Sequence, residues 1–309
     1  MIILGRFIVN RVFSMGITLL LVITITFALM HAIPGGPFTR EKALPPAVMK
    51  ALEAKFNLDQ PLWRQYVDYL GGVIKGDLGP SFQRTGVTVN KLIEEGFPIS
   101  AKIGGLSVLL VLILGVPIGI ISALKQNKWQ DQLAMFLATL GVTIPSFVLG
   151  TLIIYIFSAK LGWLPSYGLK SWKHYIGPVI ALGGFSLSFV ARLTRSSMLE
   201  VLQQDYIRTA RAKGLSEFVV VGKHALKNAL IPVVTYVGPL VAAILTGSFV
   251  VEKIFAIPGM GKHFVESVGN RDYTVLMGIT IFYAIFLVVM VLLVDITYGL
   301  IDPRIKMDE

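Results

Sequence analysis

The chain has 309 residues, of which 54% are hydrophobic and 15% are charged, and its mean hydropathy is +0.73. Soluble domains usually carry about 25% charged residues, so the surplus apolar sequence must face lipid. The formal net charge is +10, but the basic residues are scattered between apolar spans, which argues against a nucleic-acid partner. Basic residues at the inner edge of a bilayer explain the charge better.

The first apolar run covers residues 12–33 and contains no charged residue. It is longer than the apolar region of a cleavable signal peptide, which is about 7–15 residues. Residues 34–37, Pro-Gly-Gly-Pro, follow directly and give an unconvincing cleavage signal. We therefore interpret the run as a retained membrane-spanning helix.

Six stretches reach or approach the roughly 20 apolar residues that a spanning helix needs. Lipid forces every backbone polar group to find an internal partner, so each stretch is expected to be helical. The fourth stretch is the shortest, and it reaches residue 198 if Arg192 and Arg195 extend toward lipid headgroups. We predict an all-α integral membrane protein with six transmembrane helices at residues 12–33, 103–124, 132–159, 175–191, 228–251 and 273–294.

An extracytoplasmic insertion, residues 34–100, separates the N-terminal segment 1–33 from a five-helix core, 101–309. Apolar periodicity within the insertion predicts helices at 45–56 and 60–74, with a third short helix at 87–93. A Gly-Pro-rich turn is predicted at residues 76–81. Two interpretations stay open for the insertion: a cap over the helix bundle, or a docking surface for an external partner.

Basic residues in short loops indicate the orientation of the chain. With the N-terminus inside, thirteen Lys and Arg residues lie on the inner side and six lie in the two short outer loops. The remaining nine lie between residues 40 and 102, where the long segment obeys the rule poorly. We predict that both termini and the loop between the fourth and fifth spans are cytoplasmic.

Glycine and proline occur inside four consecutive spans. Such residues interrupt helices and also permit close helix packing in membranes. We predict that they break the spans, so that the bundle bends as a transport path requires. The positions are residues 115–117 in the second span, 141–145 in the third, 177–178 and 183–184 in the fourth, and 238–239 with Gly247 in the fifth.

The loop at about 199–231 contains a pattern typical of two helices around a glycine. A first helix is predicted over residues 202–213, and Gly214 suits the position that ends it. Ser216 is predicted to cap a second helix over residues 217–230. A solvated basic linker is the alternative interpretation. A shaped polar loop of this kind is expected to offer a docking surface.

The same loop carries a family resemblance. Residues 206–216, Tyr-Ile-Arg-Thr-Ala-Arg-Ala-Lys-Gly-Leu-Ser, and residues 224–232, His-Ala-Leu-Lys-Asn-Ala-Leu-Ile-Pro, resemble the signature of the oligopeptide and dipeptide branch of ABC-importer permeases. The generic form of that signature, Glu-Ala-Ala-x3-Gly-x9-Ile-x-Leu-Pro, is matched only at Ala210, Gly214 and Leu226. Fragments at 56–62, 76–81, 144–147, 161–165, 252–261, 271–273 and 302–305 also resemble this branch.

The external insertion after the first span resembles the B-type permease of that branch. The resemblance implies an importer that moves di- or oligopeptides across the cytoplasmic membrane. It also implies a second, C-type permease, two cytoplasmic ABC ATPases and an extracytoplasmic peptide-binding protein. The implied ATPase-coupling residues are Tyr206, Arg208, Thr209, Ala210, Arg211, Ala212, Lys213, Gly214, Leu215 and Ser216.

This chain is not expected to be an enzyme. It has no G-x-x-x-x-G-K-[ST] phosphate loop, so ATP and Mg²⁺ are expected on the partner ATPases and no cofactor on this chain. There is no cysteine, and His31, His174, His224 and His263 are scattered without metal-ligand spacing. No metal site is predicted.

Polar residues within the spans are candidates for a transport pathway, although they equally suit hydrogen bonds between helices. Glu252, Lys253 and Asp295 stand near predicted interfaces, where extension toward the headgroups is the simpler interpretation. The alternative is that Glu252 faces the pathway and attracts a peptide amino terminus. The pathway candidates are Thr143, Ser146, Thr235, Tyr236, Thr246, Ser248 and Glu252.

Two other functions remain open at this point. The first is an ABC permease of the same architecture for another cargo, such as nickel chelates or glutathione, which similar sequences also serve. A membrane enzyme or scaffold needs convergent catalytic groups, and the spans contain no paired carboxylates, Ser/His pairing or metal spacing.

Overall fold

The computed structural model describes residues 2–32, 36–38, 45–245 and 249–301, with side chains from residue 11 to residue 293. Regular structure in these residues is helical, apart from one isolated bridge between Pro80 and Thr88. The all-α prediction is therefore confirmed. The predicted pathway residues Thr246 and Ser248 lie outside the described residues, as do Gly247 and the motif at 302–305.

The helices are numbered α1 to α15 in chain order, and three π-helical segments interrupt or extend them. The π-helical segments are Val111–Gly115 after α4, Ile154–Lys160 after α7 and Val220–Ala225 after α10. The α-helices are α1 Ile2–Ala32, α2 Pro46–Lys55, α3 Leu62–Ile74, α4 Val89–Leu110, α5 Val116–Leu124, α6 Trp129–Thr143, α7 Ser146–Ile153, α8 Lys173–Leu202, α9 Asp205–Ala212, α10 Glu217–Val219, α11 Leu226–Ala229, α12 Ile231–Leu245, α13 Phe249–Ile254, α14 Met260–Asn270 and α15 Tyr273–Ile301.

Five helical stretches of the described chain are long and apolar enough to cross a membrane. They are Arg11–Ala32, Val89–Leu124, Lys173–Leu202, Ile231–Ile254 (which includes the undescribed residues 246–248) and Tyr273–Leu293. The pair α6 and α7 makes a sixth span if it is counted as one, although its two helices meet at 106°. The six predicted spans correspond to these five helices and the bent pair.

The bend between α6 and α7 follows from Pro145. A proline disfavours the helical conformation at the residue before it. Ile144 accordingly has extended dihedral angles, φ −81° and ψ 119°, and Pro145 directly precedes α7. The prediction that glycine and proline break the third span is confirmed.

The other predicted breaks that fall within the described residues are wrong. Helix α8 continues through Pro178, and α12 continues through Pro239. The π-helical segment Val111–Gly115 is followed without a break by α5. Pro117 has no backbone N–H to donate, and the wider π-helical turn before it accommodates the missing hydrogen bond. Gly115 serves close packing instead, since a Cβ there would lie 3.1 Å from Cγ1 of Val190 on α8. Gly119, which the prediction did not include, packs even more closely, because its Cβ would lie 2.5 Å from the carbonyl oxygen of Ala191.

The chain forms two compact units. One comprises residues 1–99, 258–292 and 299–309, and the other comprises residues 100–257 and 293–298. We call them the insertion unit and the core unit. The centre of the insertion unit is an apolar cluster that includes Ile23 of α1, Val89 and Leu92 of α4, and Ile279 of α15.

Two of the predicted helices of the insertion are confirmed, as α2 and α3. The third prediction, a short helix at 87–93, is wrong in length because the helix that starts at Val89 runs on to Leu110. The hydroxyl of Thr88 accepts a hydrogen bond from the N–H of Lys91 (3.3 Å) and so caps its start. The apolar sequence continues without a stop signal, which explains the greater length.

A buried ion pair joins α6 and α8 in the core unit. The Arg195 guanidinium donates to both carboxylate oxygens of Asp131, at 2.6 and 2.7 Å. Ser122 of α5 and the N–H of Asn127 (2.9 Å) donate to the same carboxylate. Asp131 is 3% exposed, so the charge is satisfied inside the protein.

The prediction that Arg192 and Arg195 extend toward lipid headgroups is wrong. Arg195 pairs with Asp131, and Arg192 donates to the carbonyl oxygen of Ala138 on α6 (3.0 Å). The carboxylate of Asp131 and the carbonyl of Ala138 satisfy these guanidinium groups within the protein, and a paired charge costs less than an unpaired one in an apolar region.

We expect Asp131→Ala to destabilise the core unit by about 3 kcal/mol, because it leaves Arg195 without its counter-charge. The value is at the low end for a buried pair because Arg195 is 24% exposed. Thermal unfolding in detergent measures the effect. Asp205→Ala is the control, since the Asp205–Arg208 pair is exposed and 3.5 Å long. Equal melting temperatures for the two variants would contradict this assignment.

Candidate functional site

The predicted loop between the fourth and fifth spans forms a helical hairpin, residues 205–229, which we call the polar hairpin. Its first helix, α9, begins at Asp205, three residues later than predicted, because Gln204 is extended (φ −69°, ψ 148°). The second arm begins with α10 at Glu217, passes through the π-helical segment and ends in α11. The helix–glycine–helix prediction is confirmed.

Gly214 ends α9 as the sequence predicts. Its φ is +78°, a left-handed conformation that residues with a Cβ rarely adopt. The Gly214 N–H donates to the Arg211 carbonyl (2.9 Å) and the Leu215 N–H to the Ala210 carbonyl (3.4 Å). These two bonds are the Schellman pattern, and they satisfy helix-end carbonyls that would otherwise lack donors.

Ser216 occupies the residue before α10, but its side chain makes no capping hydrogen bond there. The predicted position of the serine is therefore right, but the predicted capping hydrogen bond from its side chain is absent. An ion pair stabilises the turn instead. The Arg211 guanidinium donates to both oxygens of Glu217, at 2.8 and 3.3 Å, across the glycine.

The base of the polar hairpin is an apolar cluster within the core unit. Ile207 and Ala210 of α9 are buried with Ala123 of α5 and Met198 of α8. The second arm adds Val220, Ala225 and Ala229 to the same cluster. Ala210, which the resemblance places among the coupling residues, therefore faces the protein's own core and is not presented to a partner.

The opposite face of the polar hairpin is exposed. Tyr206 is held there because Asn228 of the second arm donates to its hydroxyl (2.7 Å). The Thr209 hydroxyl donates to the Asp205 carbonyl (2.9 Å), which leaves it turned to its own helix. The other exposed members of the predicted set are Arg208, Arg211, Ala212, Lys213, Gly214, Leu215 and Ser216.

Phe218 is a residue that the sequence reasoning missed. It is 88% exposed, more than any other large apolar side chain for which the structure gives an exposed fraction. Leu215 lies nearby in sequence and is also exposed, so the turn presents apolar side chains beside basic ones. The signal was a phenylalanine directly after the polar residues Ser216 and Glu217, at the start of the second arm. Such a residue is a natural anchor for a partner's pocket.

The pathway candidates make mostly local contacts. Thr143 and Thr235 donate to the carbonyls of Thr139 and Ile231, four residues earlier in their own helices (2.8 and 2.9 Å). The Tyr236 ring packs against Phe189, with ring centroids 4.4 Å apart. Ser146 is half-buried at the start of α7. A role for these residues in a pathway stays a prediction.

Glu252 does not extend to an interface as the simpler interpretation held. Glu252 is only 3% exposed and is buried in the core unit, whereas the adjacent Lys253 is exposed. Phe255, one turn further on, packs against Gly150 of α7 and Gly177 of α8 and so holds this part of the chain inward. A buried carboxylate at membrane depth is costly, which makes Glu252 a functional candidate.

Most of the chain matches two models of one family of membrane transport proteins. Residues 115–307 match the model of the binding-protein-dependent transport system inner membrane component, and residues 4–100 match the model of its N-terminal region. The chain belongs to this family. It is therefore a multi-pass inner-membrane subunit of a binding-protein-dependent ABC transporter, with ATPase and binding-protein partners. Members of the family are not themselves ATPases.

Two relatives extend over nearly the whole chain. The dipeptide transport system permease protein DppB of Bacillus subtilis is 51% identical over 306 residues, 99% of each chain. The oligopeptide transport system permease protein OppB of Salmonella typhimurium is 44% identical over 303 residues, 97% of this chain and 99% of the relative. This agrees with the family resemblance of the loop at 206–232.

The fold also matches a solved structure, an inward-facing conformation of the methionine ABC transporter MetNI. The match has a TM-score of 0.57 at 17% identity and covers 68% of this chain and 96% of the MetNI chain. At this identity the match establishes the fold alone, which is that of an ABC-importer transmembrane subunit.

We expect Gly214→Ala to loosen the polar hairpin by about 1 kcal/mol, because alanine is strained at positive φ. Hydrogen exchange at the Gly214 and Leu215 amides should then accelerate about fivefold. Gly222→Ala is the control, because Gly222 is also in open space but outside the left-handed region. That substitution should leave exchange unchanged or slow it. Unchanged exchange in the Gly214 variant would contradict the Schellman assignment.

Proposed function

We propose that this chain is the B-type permease subunit of an ATP-driven importer for di- or oligopeptides. The observation that carries the proposal is the polar hairpin, whose base is buried against α5 and α8 while Phe218 projects outward. The cargo class is supported by the relatives, which are named dipeptide and oligopeptide permeases. A second, C-type permease completes the pathway in this proposal.

Two cytoplasmic ATPases bind ATP and Mg²⁺ in this scheme, and an extracytoplasmic protein delivers the peptide. Both termini and the polar hairpin are then cytoplasmic, and the insertion after the first span, residues 34–100, is outside. The predominance of basic residues in the inner loops supports this orientation.

The exposed face of the polar hairpin docks into a groove of one ATPase. Phe218 and Leu215 supply the apolar contact, and Arg208 and Lys213 supply charge around it. When nucleotide binding moves the ATPases, the hairpin moves as one body, because its two arms share a packed cluster with α5 and α8. Displacement of the groove thereby reorients the spanning helices.

Cysteine labelling tests the orientation cleanly, because the chain contains no cysteine of its own. Asp59→Cys in the insertion unit should react with a membrane-impermeant maleimide in intact cells. Lys213→Cys on the polar hairpin should react only after the membrane is permeabilised. Both positions are exposed, so accessibility to water does not differ between them. Labelling of Lys213→Cys in intact cells would overturn the orientation.

Coupling is tested with Phe218→Ala in the reconstituted transporter. We expect peptide uptake and the stimulation of ATP hydrolysis by peptide-loaded binding protein to fall at least tenfold, since an anchor residue typically contributes 2 kcal/mol or more. Gly214→Leu should have a similar effect, because it distorts the end of α9. Trp172→Ala, another exposed aromatic outside the hairpin, should transport normally.

Membrane insertion and assembly with the second permease are measured in each variant, so that misfolding is recognised. Normal coupled transport by the assembled Phe218 and Gly214 variants would refute docking through the polar hairpin.

Glu252 is the strongest of the proposed pathway residues because its carboxylate is buried. We expect Glu252→Gln to weaken uptake of peptides with a free amino terminus more than uptake of N-acetylated peptides, since only the ammonium group gains from the charge. Uptake assays with both peptide types make the comparison. Equal changes for the two would assign Glu252 a purely structural role.

A further inference from the structure

A cavity of about 370 Å³ lies within the insertion unit, and its lining includes no residue of the polar hairpin and none of the pathway candidates. Its wall is formed by residues from five places in the chain. They are the end of α1, the end of α2 with the residues after it, α3, the turn after α3, and the start of α15. Its volume falls in the range of small-molecule sites. Neither the proposed coupling nor the proposed pathway uses it.

One side of the cavity is apolar and aromatic. Phe27, Phe56 and Phe82 line it. Phe56 and Phe82 pack together with ring centroids 4.7 Å apart, so this wall is fixed by its own contacts. Aromatic faces of this kind accept apolar side chains and attract cations.

Charged groups of both signs also line the cavity. Asp68 is exposed on α3, and Asp77 uses one carboxylate oxygen to accept the N–H of Gly79 (2.9 Å). Lys55 is the lysine of the lining, and its ammonium lies 5.4 Å from the centroid of the Phe56 ring. The lining therefore has two carboxylates and one ammonium, which disfavours a simple anion as ligand.

Two tyrosines in the lining have buried hydroxyls that find no hydrogen-bond partner among the described residues. They are Tyr69 of α3 and Tyr273, which is only 5% exposed. Burial raises the pKa of Tyr69 above its ordinary value, so the group stays a neutral hydroxyl. Buried hydroxyls are normally hydrogen-bonded, and a polar ligand in the cavity would supply the missing partners.

We propose that this cavity is a binding site for a small zwitterion with an apolar side chain, the class to which short peptides belong. The carboxylates of Asp68 and Asp77 hold the ammonium group, Lys55 pairs with the ligand's carboxylate, and the aromatic wall accepts the side chain. The identification of the ligand as cargo peptide rests on the proposed function. The binding chemistry itself rests on the cavity.

The probe is radiolabelled Ala-Phe, and the protein is the complete transporter in nanodiscs of phosphatidylcholine and phosphatidylglycerol without binding protein. Equilibrium dialysis should find one site per copy of this chain. Asp68→Asn should weaken binding about tenfold, as expected for loss of a charge-assisted contact. Tyr69→Phe should weaken it severalfold. The matched controls are Asp59→Asn and Tyr167→Phe, exposed positions outside the lining, which should bind normally.

A second measurement needs no variant, which keeps the test valid if a substitution prevents assembly. N-acetyl-Ala-Phe lacks the ammonium group and should bind the wild-type transporter at least tenfold more weakly. Equal binding of the two peptides, or loss of binding in the control variants alone, would overturn the proposal.

Two further outcomes separate the alternatives. Phosphatidylethanolamine has a zwitterionic headgroup of similar chemistry, so its addition should leave Ala-Phe binding unchanged. Displacement by this lipid would overturn the peptide assignment in favour of a lipid site. Absence of Ala-Phe binding while peptide-loaded binding protein still stimulates ATP hydrolysis would refute the cavity proposal and leave the importer proposal intact.

Discussion

The ion pair between Asp131 and Arg195 is the interaction on which the core unit depends. It joins α6 to α8, and the hydroxyl of Ser122 brings α5 to the same carboxylate. An unpaired charge in this position would be unstable in an apolar environment, so each partner requires the other. Close packing at Gly119, against the backbone of Ala191, holds α5 and α8 together on the adjacent turns.

The polar hairpin is built directly on these helix ends. The apolar cluster that buries Ile207 includes Ala123 and Met198. Both are close to the charged contact, because Ala123 follows Ser122 directly and Met198 lies one turn after Arg195. The buried face of α9 is therefore continuous with the charged contact, while its outer face is exposed. In the proposed coupling, this packed contact at the base transmits a force on the outer face to the spanning helices.

Local rules predicted much of this arrangement. The glycine at the end of α9, the second arm after it and the apolar spans all follow from short-range signals. The Asp131–Arg195 pair did not, because its members are 64 residues apart and each alone suits an interface. Glycine and proline were ambiguous for a similar reason. Whether Gly115 breaks a helix or allows it to pack depends on α8, which no local pattern includes. The exposure of Phe218 and the shape of the insertion cavity are tertiary features of the same kind.

Photocrosslinking from position 218 tests the central claim most directly. A benzophenone amino acid replaces Phe218 in the assembled transporter, with Trp172 replaced in the same way as a control. The account predicts a crosslinked product between this chain and an ATPase subunit from position 218, whose yield changes when nucleotide is added, and none to the ATPase from position 172. Crosslinks from position 218 to lipid or to the second permease alone would contradict it.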